Sequence, residues 1–177
     1  TPSSQIQVLT PMQKGVVGAT NLNLALQAAL NPTGDGLRRS GYIFRVNDKV
    51  MQIRNNYDKE IFNGDIGIVA SVDIQGRTLQ VDFDGHLIEY DASELDELVH
   101  AYATTIHKAQ GSEYPAVILP LLNGPRMLMN RNLLYTGVTR ARKCVTVVGS
   151  EETFGEMIRN EKQQKRYSSL WARIQEL

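Results

Sequence analysis

A single cysteine, Cys144, is all the thiol this chain of 177 residues has. That excludes an internal disulfide and any cysteine-built zinc site, and makes a reducing, cytoplasmic setting the expectation. The cysteine lies in the apolar stretch "CVTVVG", where a buried, inert thiol is expected rather than a nucleophile. Net charge is lacking too: 19 Lys and Arg balance 19 Asp and Glu, so no overall basic coat marks a binder of nucleic acid. No apolar run approaches the ~20 residues that cross a bilayer, and no membrane partner is expected. The opening "TPSSQIQVLT" lacks the basic start and apolar centre of a secretory leader. No metal site, internal repeat or low-complexity tract is encoded.

What is present is a soluble, globular composition, 42% hydrophobic and 21% charged, long enough for one domain of usual size or a domain with a small insertion. The zero net charge conceals a division. Residues 41–94 hold five Lys/Arg against ten Asp/Glu, whereas residues 1–40 and 95–150 together hold nine against four. Minus five in the middle cancels plus five around it, and the split marks a domain boundary. The hydropathy pattern changes at the same places. Outside, "IQVLT" predicts a strand, and Thr20 is placed to cap a helix "NLNLALQAAL" whose Leu22, Leu26 and Ala29 share a face. Further on, "VHAYA" predicts a strand, "AVILPLL" a buried strand, "RNLLYTGVTRAR" a helix and "CVTVVG" another buried strand. Near-continuous apolar strands separated by helices imply a parallel sheet covered on both faces. Inside, "DKVMQI", "DIGIVASVD", "TLQVDF" and "LIEYD" are short β-type runs divided by "NG", "QG" and "DG" turn signals. The fold class expected is α/β: a parallel-sheet domain over residues 1–40 and 95–155 with a small antiparallel barrel inserted at 41–94. A helical tail over 156–177 is expected from Met157 and Ile158, then Leu170, Trp171 and Ile174.

Two polar clusters carry the chemistry. In "TTIHKAQGSEYPAVIL", two hydroxyls, an imidazole, an ammonium, an amide, a glycine and a carboxylate precede a buried strand. Ligands of open parallel sheets gather beyond the carboxyl ends of the strands, where Thr104 to Glu113 is expected to lie. Hydroxyls and imidazole donate to phosphate oxygens, Gly111 admits close backbone approach, and Glu113 accepts from sugar hydroxyls. The plainer alternative is a capped turn, with Thr105 as N-cap and Lys108 solvated. In "NLLYTGVTRARKCVTVVG", Leu134, Val138 and Ala141 would face the core, so Arg140 and Arg142 cannot both do so. An arginine there offers a planar fork to phosphoryl oxygens, or merely a surface ion pair.

Together these clusters resemble two motifs of superfamily 1 helicases, in the family's order. "TIHKAQGSEY" resembles T-x-H-x-x-[KQ]-G-x-E-[FY] of the second RecA-like domain, and "LLYTGVTRAR" resembles the Y-x-x-x-T-R-A motif that follows it, as in UvrD-like C-terminal domains. "VLTPMQKGVVGATNLNLALQAALNP" is similar to the P-M-x-[KR]-G-x-x-G-x-x-x-L-N signature of the RecD-like branch (exodeoxyribonuclease V alpha and TraA relatives), and "NDKVMQIRNNYDKEIFNGDIGIV" resembles that branch's inserted SH3-like barrel. The resemblance spans about residues 5–150 and implies a RecA-like, P-loop NTPase-type sheet carrying an SH3-like barrel. It implies that Arg140 is the arginine finger directed at the γ-phosphate of ATP on another RecA-like domain. It further implies that Glu113 bonds the ribose, with Gln110 and Gly111 near the nucleotide, that Thr105 and His107 contact single-stranded DNA, and that Lys14 occupies a nucleotide-sensing position. In the barrel, Arg45, Lys49, Arg54 and Lys59 fall in the first half, so a DNA contact is expected on the side of Arg54 and Tyr57, while Phe62 is expected to close a small core.

A phosphate loop G-x-x-x-x-G-K-[ST] occurs nowhere in the chain. The expectation is therefore the C-terminal motor part of a longer ATP-dependent DNA helicase of recombination and repair, running 5′ to 3′ by resemblance and inactive alone. Its implied cofactors are ATP, shared with an N-terminal RecA-like domain, and Mg²⁺ held there. Its implied partners are single-stranded DNA and the duplex junction, that N-terminal domain, and RecBC-type subunits. The alternatives are a non-catalytic nucleic-acid-binding module and a scaffold presenting the barrel's acidic face.

Overall fold

The computed structural model describes residues 5–122 and 124–161; Leu170, Trp171 and Ile174 of the expected tail lie outside them. Four parallel strands form one sheet in the order β11-β10-β1-β9: β1 (Ile6–Thr10), β9 (Ala103–Thr105), β10 (Tyr114–Leu121) and β11 (Ala141–Gly149). Helix α1 (Ala19–Leu30) follows β1, while α2 (Arg131–Val138) and α3 (Glu151–Arg159) pack on one another beside β10. Leu9, Ile106, Val117, Leu119, Leu121, Leu133, Leu134 and Met157 make this core. Each fully buried aliphatic side chain contributes about 1.5–3 kcal/mol through removal from water.

Between α1 and β9 the chain builds an antiparallel half. The hairpin β2 (Gly36–Arg39) with β3 (Tyr42–Arg45) packs on a five-stranded sheet, β7-β6-β5-β4-β8. Its members are β4 (Lys49–Gln52), β5 (Ile66–Asp73), β6 (Thr78–Phe83), β7 (His86–Asp91) and β8 (Leu98–His100). The "DG" signal is a two-residue hairpin turn between β6 and β7: Asp84 and Gly85 both have positive φ, 52° and 97°, as the twist-matched turn requires. The acidic residues of this half also shape backbone. Asp73 accepts the N–H groups of Gln75 and Gly76, and Asp82 that of Gly85.

Several expectations are corrected. "VHAYA" is not one strand: its first part ends β8 in the antiparallel sheet, and Ala103 opens β9 in the parallel one. The helix of "RNLLYTGVTRAR" stops at Val138, and Ala141 already belongs to β11. That strand is the sheet edge and is mostly exposed, so Cys144 is exposed and Val148 is 54% exposed. The apolar residues of "CVTVVG" thus mark a strand without marking burial, since nothing among the described residues lies beyond β11. Finally, α1 starts after Gly18 with no side-chain cap from Thr20, and its buried line is Ala19, Asn23 and Gln27, with Leu22 and Leu26 only partly buried beside it and Ala29 exposed.

Candidate functional site

The polar loop does not stay at the carboxyl ends of the strands. Thr105 is level with Thr10 at the carboxyl end of β1, whereas Ala116 is level with Ile6 at its amino end. Four steps along β1 and two more back to Tyr114 put roughly 20 Å between the loop's ends, at strand rise. The loop therefore runs the depth of the sheet and serves both of its ends.

At the carboxyl end, Thr105 is 9% exposed, and its hydroxyl oxygen accepts from the Lys108 N–H at 3.3 Å, so the capped turn exists. His107 and Lys108 project into solvent beyond it. Thr104 is buried, and its hydroxyl has no hydrogen-bond partner among the described residues. A cleft of about 60 Å³ opens here, lined by Gln13, Thr20, Asn23, Tyr42, His100, Thr104, Thr105 and Lys108. The exposed Lys14 follows β1 at this same end and does not join the arginine cluster described next.

At the amino end, Arg140 sits in the turn between α2 and β11. Its guanidinium is half-buried and donates to the carbonyl oxygens of Thr136 and Ser112, both at 3.2 Å, and to the Thr139 hydroxyl at 3.4 Å. Its own carbonyl accepts the Tyr114 N–H at 2.8 Å, which ties the turn to the start of β10. Among the described residues no carboxylate pairs with it, so the guanidinium is oriented by neutral acceptors. Glu113 is beside it, with Oε2 accepting from Arg142 Nε at 2.8 Å; both side chains are more than half exposed, so the pair is weak and readily exchanged. For Arg142, then, the surface ion pair is what forms. Gln110 and Gly111 are exposed on the stretch leading to Glu113.

The antiparallel half distributes its cations unevenly. Lys49 is buried, with Nζ donating to the Ile6 carbonyl at 3.1 Å, and Lys59 is held by both oxygens of Glu94 over the Tyr90 ring. Arg45 donates to the carbonyls of Gly34 and Asn31. Arg54 remains exposed near Tyr57, which is 74% exposed and meets Phe62 edge to face at 6.0 Å between centroids. Phe62, 46% exposed, does not close a core; Ile61 beside it does.

A buried polar joint ties α1 and Tyr102 to the antiparallel half. Asp48 is fully buried; burial pushes its carboxyl up, but His100, the Arg45 N–H, Asn31 and Tyr102 outweigh that and hold it below the ordinary range. Sequence reading missed this joint; Asn23 closes the P-M-x-[KR]-G-x-x-G-x-x-x-L-N signature but was given no role there, and Gln27 stands four residues on, one helical turn along the same face. Among the described residues no group of three His, Cys, Asp or Glu is arranged to hold a metal.

The profile of the ATP-dependent RecD-like DNA helicase SH3 domain matches residues 22–83, and that of the UvrD-like helicase C-terminal domain matches residues 100–148. The chain belongs to the RecD-like helicases. It is 44% identical over 145 residues to the ATP-dependent RecD2 DNA helicase of Deinococcus radiodurans, covering 82% of this chain and 20% of that protein. It is 32% identical over 146 residues to the RecBCD enzyme subunit RecD of Mycolicibacterium smegmatis, covering 82% of this chain and 25% of the relative. The RecD-like chain thus spans a fifth to a quarter of the length of these curated relatives. Its fold resembles that of a Bacteroides Pif1 helicase solved with ADP-AlF3 and single-stranded DNA, at a TM-score of 0.59 and 15% identity over 96% of this chain and 44% of that one. The Candida albicans Pif1 helicase gives a TM-score of 0.56 at 15% identity, over 98% and 51% of the two chains.

Proposed function

We propose that this chain is the second motor domain of an ATP-dependent DNA helicase, coupling nucleotide at one end of the parallel sheet to single-stranded DNA at the other. The observation that carries this is Arg140: a half-buried guanidinium oriented by neutral carbonyls, with no paired carboxylate among the described residues. Bound between this domain and an N-terminal RecA-like domain, ATP would supply the phosphoryl group to be transferred. Arg140 suits the charge that develops there, because its fork is already placed and needs little reorganisation. Glu113 would leave Arg142 to accept from the ribose, with Gln110 and Gly111 alongside. A nucleotide role for Lys14 rests on family resemblance alone, since the fold separates it from Arg140. Mg²⁺ would accompany ATP on the N-terminal RecA-like domain.

At the opposite end, Thr105 and His107 would hold the DNA backbone; on the antiparallel half, Arg54 with Tyr57 would hold a phosphate and a base. Closure of the two motor domains on ATP and their reopening would then move the strand, 5′ to 3′ as the family resemblance implies. RecBC-type subunits are partners by the same resemblance. The deciding experiment is Arg140→Ala in the complete protein. DNA-stimulated ATP hydrolysis is expected to fall by about 10³-fold, with single-stranded DNA affinity within about threefold. Unchanged hydrolysis would refute the assignment.

A further inference from the structure

Helix α1 buries amides where an amphipathic helix would bury leucines. Its inward line is Ala19, Asn23 and Gln27, while Leu24 and Leu30 are 52% and 62% exposed. The Asn23 amide meets Ala103 at two points: Nδ2 donates to the Ala103 carbonyl at 2.8 Å, and the Ala103 N–H donates to Oδ1 at 2.8 Å. Ala103 opens β9, an edge strand whose other side is taken by β1. With one side chain, Asn23 completes that edge as a further strand would. One helical turn on, Gln27 Nε2 donates to Asp48 Oδ2 at 2.6 Å and to the Ile43 carbonyl at 2.7 Å. The same helix therefore grips the antiparallel half with one amide and β9 with the other. Thr105, where the polar loop departs, is two residues beyond the clamp.

We propose that Asn23 is a positioning residue for DNA binding, setting the height of β9 and thereby the placement of Thr105 and His107. It acts through Ala103 and touches neither DNA nor nucleotide. The inference rests on the reading of that loop as a DNA contact. Replacing the amide by an apolar group of similar size leaves both Ala103 backbone groups without partners, so the strand edge and the loop it launches lose their register.

The test is ATP hydrolysis by the complete protein titrated with oligothymidylate, for wild type, Asn23→Leu and Asn23→Asp. Asn23→Leu is expected to raise the half-saturating DNA concentration about tenfold, with kcat at saturating DNA within about threefold. Asn23→Asp keeps an acceptor for the Ala103 N–H but loses the donor, and is expected to fall between. A half-saturation value that stays at the wild-type level, or a fall in kcat alone, overturns the proposal, because a mere filler of space would change the active fraction without changing affinity. If Asn23→Leu fails to fold, Asn23→Asp is judged by the same two criteria. A wild type that oligothymidylate does not stimulate sinks the underlying function; a stimulated wild type with unshifted Asn23 variants sinks only this inference.

Discussion

Lys49 lies 3% exposed where β4 meets β1, and burial lowers its pKa from 10.5 to about 8. The unfolded lysine keeps its proton to its ordinary pKa, so between about pH 8 and 10 the unfolded state binds more protons and stability rises with pH. Below pH 8 the penalty is present in full, up to roughly 3 kcal/mol by linkage. Lys49→Met removes that penalty together with the hydrogen bond to Ile6 and the other contacts of the lysine. It should also flatten the rise toward pH 10. Tyr90 and Tyr102 act in the opposite sense above that pH. Burial, with Glu97 near Tyr90 and Asp48 bonded to Tyr102, raises both hydroxyls, so the folded state holds protons the unfolded state has lost and stability falls. Urea unfolding from pH 7 to 11 checks both signs; a variant with the wild-type slope between pH 8 and 10 would remove Lys49 as the cause.

The helices owe their limits to single residues. Asn130 begins α2 by accepting the Leu133 N–H at 2.9 Å while donating to the Met127 carbonyl at 2.8 Å. Gly137 lets that helix lie close on the sheet, since a Cβ there would come within 3.1 Å of Ile106 and Leu119 side-chain carbons. Ser150 caps α3, with Glu151 and Glu152 in its first turn and Arg159 in its last, charges that suit the helix dipole. The chain from Asn130 to Arg140 is thus a short helix and turn, set at its start by Asn130 and held close on the sheet at Gly137. Asn130→Ala should cost about 1 kcal/mol and lower the melting midpoint by roughly 2–4 °C. A midpoint that does not move would mean the cap is replaced by solvent.

At the scale of the molecule, a net charge of zero does not predict how the surface meets a polyanion. The carboxylates of the antiparallel half are partly consumed in making turns, and Lys59 is neutralised by Glu94. Arg54 and Tyr57 stay exposed. In the complete protein, Arg54→Ala should weaken single-stranded DNA binding and reduce the slope of log affinity against log salt by about 0.7, the contribution of one phosphate contact. Tyr57→Ala should cost about 1–3 kcal/mol through lost stacking and leave the slope unchanged. Equal slopes for wild type and Arg54→Ala would exclude Arg54 from the DNA path.

The sequence by itself determined the α/β class, most of the strands and helices, and the hairpin-rich and helix-rich divisions of the chain, and it marked Arg140, Glu113, Thr105 and His107 as motif residues. These are legible because period-2 and period-3.6 patterning, turn chemistry and motif spacing are local properties. Burial at the sheet edge was not legible, because Cys144 and Val148 are apolar in either setting and only their neighbours in space decide exposure. Nor was the separation of the loop's two ends, which depends on how β9 and β10 register against β1. Tertiary structure alone decided that Asn23 and Gln27 face inward. A buried amide is stable only where backbone groups stand ready to bond it, and Ala103, Ile43 and Asp48 reach α1 from segments far along the chain.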